Sequence, residues 1–406
     1  MNPTAAILSI GNEVLRGSVV NTNAAFLGAE LTGEGFEVVS HGVCADTREA
    51  IRFRLEETLR RADVIIVMGG LGPTPDDVTR EGIAAYFRVP LVFSKTQYAC
   101  MRKMYKKYGK RIPALVRREA YYPANARPLI NRFGVALGFS IEIGKKLVVV
   151  LPGVPAELRN MYFHVVLPLL HRRFPRLRRA RRLVAKLTGI SEPDVMKKLG
   201  NDFFDEPFDF GIYPSSGEVT VRILARETAV MSRVQRKIAS RLSDFVYAWE
   251  EVSLAAVVGR ILGKKRQTLA LAESCTGGAL AAEITRCPGA SRFFRGGTVV
   301  YHAEAKKRLG VREKTLRARG EVSREVAGEL AREVRNGMGV HYGIGITGIA
   351  GPGGGSRVKP VGLVYIGIAG IAGKSRVWRH VFWGDREQVR RRAAIKALEH
   401  LWRTIR

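Results

Sequence analysis

The chain has 406 residues, which at roughly 100–200 residues per domain suggests two or three domains, and its 46% hydrophobic content excludes a mainly disordered protein. The 67 Lys and Arg residues exceed the 37 Asp and Glu residues by a net charge of +30, which attracts phosphate groups but does not indicate a fold. The four cysteines are scattered along the chain, which excludes a disulfide framework. The sequence shows neither a secretion signal nor an apolar stretch of about 20 residues, so we expect a cytoplasmic protein with no membrane partner.

Short apolar runs alternate with helical patterns in the first part of the chain. We predict strands at 5–11, 36–39, 63–68 and 145–151, and helices at 23–32, 50–61 and from Ala156 onward. This alternation predicts βαβ units and a parallel sheet with helices on both faces.

The rest of the chain is predicted to form two further units. The middle unit is predicted to contain a helix at 193–199, strands at 210–213 and 218–225, and a long helix at 228–249. The last unit again alternates, with strands at 268–272, 298–301, 342–346 and 361–368, and helices at 277–286, 303–309, 323–338 and 386–405. The predicted fold class is α/β, with two doubly wound sheet domains at 1–170 and 251–406 joined by a small α+β domain at 171–250.

A dense basic run lies at residues 172–186, where eight side chains are Lys or Arg. We interpret this run first as a solvated helix face, which is the usual role of a charge run. The alternative is a nonspecific contact with nucleic acid through the basic surface.

The first chemical motif of the last unit is Glu273-Ser-Cys-Thr-Gly-Gly278, which follows a predicted strand and precedes a helix. Backbone N–H groups at such a helix start, near Thr276–Gly278, can bind a phosphate or an oxyanion. Ser274 lies in the turn as a candidate nucleophile. The alternative is that Ser274 and Thr276 only cap the helix.

Two further side chains can converge on the same crevice, because ligands of open α/β sheets bind outside the carboxyl ends of the strands. Tyr301 is predicted to end a strand, and Lys306 lies one turn into the next helix. An acyl-transfer site without histidine can use a serine, a tyrosine and a neutral lysine. The alternative for Lys306 is a solvated residue beside Lys307 and Arg308.

A glycine-rich loop follows the predicted strand at 342–346. Five of the nine residues at 347–355 are glycine, which lets backbone amides approach an anion closely. We therefore predict a loop that contacts phosphate, and the alternative is a loop that is only flexible.

These motifs together resemble a known family. In chain order they are Glu273–Gly278, Pro288-Gly-Ala-Ser291, Gly296-Gly297 before Tyr301, Lys306 before Leu309-Gly310-Val311, the loop at 347–355, and Lys359-Pro-Val-Gly362. Over about 252–406 the chain resembles the C-terminal domain of the CinA family (competence/damage-inducible protein), which implies deamidation of nicotinamide mononucleotide to nicotinic acid mononucleotide and ammonia.

The resemblance also implies roles for individual residues. The catalytic residues are Ser274, Tyr301 and Lys306, and no cofactor is expected for the deamidase. The arginine of the family pattern is expected at Arg386, and Arg390 is the rival position for it. The other substrate-binding residues implied by the resemblance are Ser291, Thr276, Gly277, Gly278, Thr347, Gly348, Gly351 and Gly353.

The first unit resembles the molybdopterin-binding-like domain of the same family, through the motifs at 10–17, 21–23 and 69–79. This resemblance implies cleavage of ADP-ribose with a divalent metal, for which Asp77 is the candidate ligand. The alternative is that Asp76 and Asp77 only cap a helix that begins near Val78. The implied nucleotide-site residues are Glu13, Asn23, Gly69, Gly70, Gly72, Thr74, Asp76 and Asp77.

The first unit departs from the family pattern at several positions. Asn21 stands where the family usually has Asp, and Glu119 stands where Gln is common. The stretch at 134–138, usually Gly-Thr-Ala-Pro-Gly, contains Val135 and Leu137 instead. These changes weaken the case for pyrophosphatase activity but not for the fold.

The middle unit resembles the family's KH-like insert, with Tyr213-Pro214 and Gly217-Glu218-Val219 at the expected places. No GXXG loop occurs between 175 and 250, so we do not expect the RNA contact that KH domains make through that loop.

The expected partners are pyridine and adenine nucleotides and a second copy of the chain. The competing hypothesis is a catalytically silent protein that binds a nucleotide or a pterin.

Overall fold

The computed structural model describes residues 2–371, 373 and 375–406. The chain divides into two compact units, at 1–181 and 182–406. In the part of the chain that the structure describes, no helix combines the length and the apolar character needed to cross a membrane.

The first unit contains a large six-stranded sheet, a separate two-stranded sheet and flanking helices. Its strands are β1 (Thr4–Ile10), β2 (Glu37–Cys44), β3 (Val64–Met68), β4 (Leu91–Phe93), β5 (Tyr121–Pro123), β6 (Arg127–Leu129), β7 (Gly138–Ile143) and β8 (Lys146–Leu151). Its helices are α1 (Asn12–Leu15), α2 (Thr22–Glu34), α3 (Arg48–Arg61), α4 (Thr79–Phe87), α5 (Lys95–Lys107), α6 (Pro155–Met161) and α7 (Leu167–Arg173), with a 3₁₀ segment at Ala114–Ala120 and a π-helical turn at Tyr162–Val166.

The large sheet has the strand order β2-β1-β3-β8-β7-β6. The first four of these strands run parallel, and β7 and β6 continue antiparallel. Every residue of β3 is buried, as expected for a parallel strand covered on both faces. Residues of α2 and α6 pack on one face, and residues of α3 and α4 pack on the other.

The middle segment, at the start of the second unit, forms a small sheet with helices. Its elements are β9 (Arg181–Thr188), α8 (Glu192–Leu199), β10 (Asp209–Ser215), β11 (Glu218–Ala225), α9 (Thr228–Leu242) and β12 (Val246–Ala248), with a 3₁₀ segment at Asn201–Asp205. The strand order is β10-β11-β9-β12, and residues of α8 and α9 share one core with the sheet.

The C-terminal segment forms a five-stranded mixed sheet. Its elements are α10 (Leu254–Lys264), β13 (Leu269–Glu273), α11 (Ala279–Thr285), β14 (Phe294–Val299), α12 (Ala303–Leu309), α13 (Glu313–Arg319), α14 (Arg324–Gly337), β15 (Tyr342–Gly348), β16 (Leu363–Ala369), β17 (Ser375–Val381) and α15 (Arg386–Ile405), with a 3₁₀ segment at Ala290–Arg292. The strand order is β14-β13-β15-β16-β17. Strands β14, β13 and β15 are parallel, whereas β16 and β17 are antiparallel. The predicted α/β class with a small α+β insert is confirmed.

Two predicted element boundaries are wrong. The helix predicted at 228–249 ends at Leu242, because Val246–Ala248 pairs with β9 and its backbone groups enter that ladder. The strand predicted at 298–301 begins at Phe294 and ends at Val299, because its glycines pair with β13 instead of forming a loop. Tyr301 therefore lies beyond the strand end.

The basic run at 172–186 is not a helix face. Helix α7 ends at Arg173, before Pro175, since the residue preceding a proline is disfavoured in helical conformation. Arg181, Arg182 and Lys186 instead lie on β9.

Helix α14 lies directly on the backbone of the C-terminal sheet. A Cβ atom at Gly345 of β15 would lie 2.5 Å from the carbonyl oxygen of Ala327 and from the amide nitrogen of Ala331, both in α14. Gly367 of β16 faces the same Ala327 carbonyl at a distance that also leaves no room for a Cβ. Glycine at these strand positions allows the helix to approach this closely, and the approach fixes the start of α14 relative to the end of β15.

Replacing Gly345 with alanine should destabilise the second unit by about 2 kcal/mol, because the methyl group must push the α14 backbone away. Urea unfolding followed by tryptophan fluorescence measures this, since all four tryptophans lie between 249 and 402. The control is Gly337→Ala in the same helix, where a Cβ would meet nothing within 4 Å. That substitution should stabilise the unit by up to about 1 kcal/mol, and equal midpoints for the two variants would contradict the proposed close packing.

Candidate active site

A cavity of about 260 Å³ lies at the carboxyl ends of β13 and β15. Ser274 follows β13, Thr347 and Gly348 end β15, and Tyr301 lies two residues after β14. The residues that line the cavity are Ser274, Cys275, Tyr301, Lys306, Glu321, Val322, Thr347, Gly348, Ile349, Ala350, Gly351, Gly353, Gly354 and Arg386. The fold thus brings together the three residues expected to be catalytic, although they come from three separate segments.

Ser274 is held by the turn that follows β13 and is 6% exposed. Its amide donates to the Ile346 carbonyl at 3.0 Å, which ties the turn to the neighbouring strand. Helix α11 has Gly278 at its N-cap and no side-chain capping bond there. The alternative that Ser274 and Thr276 serve as helix caps is therefore wrong.

The start of α11 is satisfied by a carboxylate from the strand. Glu273 is buried, and its oxygens accept from the amides of Gly278 at 3.0 Å, Leu280 at 3.1 Å and Ala281 at 2.8 Å. The Gly277 amide donates to the Ser274 carbonyl at 3.0 Å. The N–H groups of Gly277 and Gly278 are thus already engaged, which removes them as the expected oxyanion donors. These two glycines line a separate cavity of about 330 Å³.

Lys306 is 1% exposed, so the alternative of a solvated lysine is wrong for this residue. Its Nζ donates to Glu321 Oε2 at 2.6 Å and to the Tyr301 carbonyl at 3.4 Å. The neighbouring Lys307 is the solvated lysine of the pair, since it is partly exposed and its Nζ lies 2.9 Å from Glu304 Oε1. Glu321 was not among the site residues expected from the sequence. The only sequence feature that could have indicated it is a carboxylate just before the helix predicted at 323–338.

Arg386 connects Tyr301 to the glycine-rich loop. Its Nη2 donates to the Tyr301 hydroxyl at 2.5 Å, and its Nη1 donates to the Gly351 carbonyl at 2.7 Å. Arg386 begins α15, where Asp385 and Gln388 form a capping box that fixes the helix start. Arg390 instead donates to the Thr276 carbonyl and lines the 330 Å³ cavity. The structure therefore places Arg386, and not its rival, at the Ser274 cavity.

The glycine-rich loop contributes backbone and one buried hydroxyl. Thr347 is fully buried, and its Oγ1 donates to the Glu321 carbonyl at 2.7 Å. Gly348, Gly351 and Gly353 line the cavity. Ser291 is exposed on a short 3₁₀ segment and is not among the lining residues.

Cys275 lies beside Ser274 in the same cavity but is a poor thiolate. Burial, with a smaller contribution from the charge of Glu273, raises the pKa of its thiol to about 12, although a backbone hydrogen bond and the charges of Lys306 and Arg386 oppose the shift. The thiol is therefore protonated near neutral pH, which leaves the Ser274 hydroxyl as the candidate nucleophile.

The implied nucleotide site of the first unit gathers at one edge of the large sheet. Gly69, Gly70, Gly72 and Thr74 follow β3, and Glu13 lies in α1 just after β1. The carboxyl ends of β1, β3 and β8 meet at that edge, since the three strands are parallel. Asn23 donates to the Gly153 carbonyl at 2.7 Å, which ties α2 to the turn after β8.

The aspartates of this edge do not cap a helix. Helix α4 has Val78 at its N-cap and no side-chain capping bond, so that alternative for Asp76 and Asp77 is wrong. Asp77 Oδ2 instead accepts from the amide of Thr74 at 3.0 Å and from its hydroxyl at 2.5 Å.

The donor groups at this edge do not form a metal centre. Among residues 2–371, 373 and 375–406, no group of three or more His, Cys, Asp or Glu side chains is placed to hold a metal ion. The divalent metal and the pyrophosphatase that the resemblance implies stay predictions.

The departures from the family pattern have local structural roles. Asn21 caps α2 by accepting from the Ala24 amide at 3.0 Å, and its Nδ2 donates to Ser9 at 2.8 Å. Burial raises the pKa of Glu119 to about 7, with Arg80 opposing and Glu157 adding to the shift. A carboxyl that is largely protonated below that pH resembles the glutamine common at this position.

Three family models match the chain in order. They are "Probable molybdopterin binding domain" at 6–172, "Damage-inducible protein CinA KH domain" at 182–248, and "CinA C-terminal domain" at 251–405. The three matched segments correspond to the large sheet, the small sheet and the five-stranded sheet.

Relatives match along nearly the whole length. A competence-damage inducible protein of Moorella thermoacetica is 40% identical over 409 residues, which is 99% of each chain. One from Clostridium acetobutylicum is 38% identical over 408 residues, which is 98% of each chain. A solved protein, CinA with unknown function from Thermoplasma acidophilum, is 34% identical, covers 41% of this chain and 98% of its own, and has a TM-score of 0.38.

Replacing Glu273 with glutamine should open the start of α11, because an amide nitrogen would face donors that now bind a carboxylate. We expect hydrogen exchange at the Gly278, Leu280 and Ala281 amides to become about 30-fold faster, which corresponds to about 2 kcal/mol. The matched control is Glu283→Gln in α11, which removes only an exposed pair with Arg286. Its effect should stay below about twofold, and equal exchange in both variants would refute the capping role.

Proposed function

The chain belongs to the CinA family of competence-damage inducible proteins, and from that premise we propose that its C-terminal domain is an amidase acting on nicotinamide mononucleotide. The products would be nicotinic acid mononucleotide and ammonia. The observation that supports this most strongly is the meeting of Ser274, Tyr301, Lys306 and Arg386 on one cavity.

The Ser274 hydroxyl is the proposed nucleophile or water-orienting group. Its oxygen, or the water that it orients, adds to the carboxamide carbon while Lys306 takes the proton. The C–N bond then breaks, and the nitrogen leaves as ammonia with a proton returned from Lys306. One water is consumed in either route, and the carboxamide becomes a carboxylic acid.

Arg386 and the glycine-rich loop are proposed to bind the anionic part of the substrate. The guanidinium is fixed by the Tyr301 hydroxyl and the Gly351 carbonyl, and an arginine binds phosphate through several N–H groups. At about 260 Å³ the cavity is slightly below the ~300–1,000 Å³ typical of small-molecule sites. We infer that the cavity takes the reacting ring and that the rest of the mononucleotide lies along the loop.

Ser274→Ala and Lys306→Ala should each reduce ammonia release from nicotinamide mononucleotide by about 10³-fold or more, because each removes a group from the reacting unit. Liquid chromatography of both nucleotides, with ammonia measured in parallel, checks this. Lys307→Ala is the matched control, because it removes an adjacent lysine that pairs with Glu304 outside the cavity.

Ammonia release that survives both active-site substitutions would rule out the proposed roles. Tight nucleotide binding by the wild-type protein without turnover would favour the competing hypothesis of a catalytically silent binding protein. Affinity for nucleic acid that falls steeply with salt would instead favour an accessory role for the basic surface.

A second nucleotide site is proposed at the carboxyl edge of β1, β3 and β8 in the first unit. The supporting observation is electrostatic. Burial raises the pKa of Asp46, the hydrogen bond from the Asn12 amide opposes this shift, and the charges of Glu13, Asp76 and Asp77 add to it. Because Asp77 also holds the Thr74 turn, its loss should disorder that part of the edge.

Asp77→Ala should weaken ADP-ribose binding by about tenfold, the loss expected for a turn held by charge-assisted hydrogen bonds. Calorimetry in a chelating buffer measures binding, and the same samples are then assayed for AMP after adding Mg²⁺ or Mn²⁺. Glu142→Ala, an exposed carboxylate on β7, is the control. Equal affinity in all three proteins would overturn the proposed site, and AMP formation lost in Asp77→Ala would support the pyrophosphatase that the resemblance implies.

A further inference from the structure

We propose that Glu321 is a positioning residue of the amidase site, which holds the Lys306 amine in the orientation that proton transfer requires. The inference rests on the proposed function, since it concerns the same cavity. It assigns a role to a carboxylate for which the sequence motifs indicated none.

The contact between the two side chains is direct. Lys306 Nζ lies 2.6 Å from Glu321 Oε2, and the lysine side chain is 2% exposed while the glutamate side chain is 44% exposed. A buried ammonium without a partner is costly, so the carboxylate compensates the burial of the charged lysine. The exposed side of Glu321 also connects this buried amine to solvent.

The position of Glu321 is fixed by its own backbone. The Thr347 hydroxyl donates to the Glu321 carbonyl at 2.7 Å, which ties the segment before α14 to the end of β15. Ser323 caps α14 by accepting from the Val326 amide, and its hydroxyl donates to the Gly320 carbonyl at 3.1 Å. The carboxylate therefore approaches Lys306 from a segment that is held at both ends.

The other charged or titratable groups near Lys306 do not replace this contact. Arg386 is a cation, Cys275 is a protonated thiol, and the Glu273 carboxylate is engaged by three amides of α11. Two glutamates of α14 interact with Arg312 instead: Glu329 accepts a hydrogen bond from it, and the charge of Glu333 helps to raise its pKa. Tyr301 contributes its backbone carbonyl to Lys306 and its hydroxyl to Arg386.

The contact restricts the orientation of the lysine base in the cavity that Ser274 also lines. Nζ keeps an N–H for Glu321 whether it is an amine or an ammonium, so the same contact can hold it through both proton transfers. Loss of the contact should therefore lower kcat more than it changes KM.

The variants separate charge from structure. Glu321→Gln removes the charge at nearly constant shape, and Glu321→Asp keeps the charge on a shorter side chain. Glu313→Gln is the matched control, because Glu313 is similarly exposed and pairs with Lys307 and Arg317 outside the cavity. All four proteins, including the wild type, are assayed for kcat and KM on nicotinamide mononucleotide at one pH.

We expect kcat of Glu321→Gln to fall about tenfold with KM nearly unchanged, because the amine is less well oriented while the groups that bind the substrate remain. Glu321→Asp should recover part of kcat, and Glu313→Gln should change neither constant. An unchanged kcat in Glu321→Gln, or a KM that rises as kcat falls, would overturn the proposal.

A second readout does not depend on amidase activity. Acetic anhydride acylates amines that it can reach, and peptide mass spectrometry compares the labelling of Lys306 with that of Lys307 in each protein. The ratio of Lys306 to Lys307 labelling should be about fivefold higher in Glu321→Gln than in the wild type, because the amine is released from the contact that holds it in the cavity, and this is the change expected for a partly exposed ion pair. An unchanged ratio refutes the role of Glu321, whereas a changed ratio in a protein without amidase activity refutes only the proposed function.

Discussion

The close approach of α14 to the C-terminal sheet determines where the candidate active site lies. Gly345 and Gly367 leave no room for a Cβ beneath Ala327, so the helix backbone rests on the strand backbone. This contact brings the segment before α14 next to the end of β15, where Thr347 holds the Glu321 carbonyl. A side chain at either glycine would lift the helix, and the Glu321 carboxylate would move away from Lys306 with it.

Two glutamates stabilise this site in different ways, one by accepting hydrogen bonds from buried amides and the other by pairing with a buried lysine. Glu273 satisfies three amides at the start of α11, so the turn after β13 needs no serine or threonine cap and Ser274 can face the cavity. Glu321 compensates the burial of Lys306 and leaves its other side in solvent. A hydroxyl and an amine thereby line one cavity, which has no histidine among its lining residues.

The same topological rule places both candidate sites, because each lies at the carboxyl ends of parallel strands. The two sites nevertheless differ in how their polar groups are used. In the C-terminal sheet the buried groups converge from three segments on one cavity. In the first unit Asp77 is engaged with Thr74 and Asn21 caps α2, so much of the polar chemistry stabilises local backbone.

The amino-acid sequence alone determined the βαβ alternation, the family motifs and the candidacy of Ser274, Tyr301 and Lys306, because periodicity and short motifs are local properties of the chain. The boundaries at Leu242 and Val299 could not be predicted locally, since strand pairing with β9 and β13 decides them. The tertiary structure alone decided that Lys306 is buried, that Arg386 and not Arg390 reaches the cavity, and that Glu273 and Glu321 have different partners. Each of these depends on contacts between segments far apart in the chain, and a sequence pattern contains no distance between such segments.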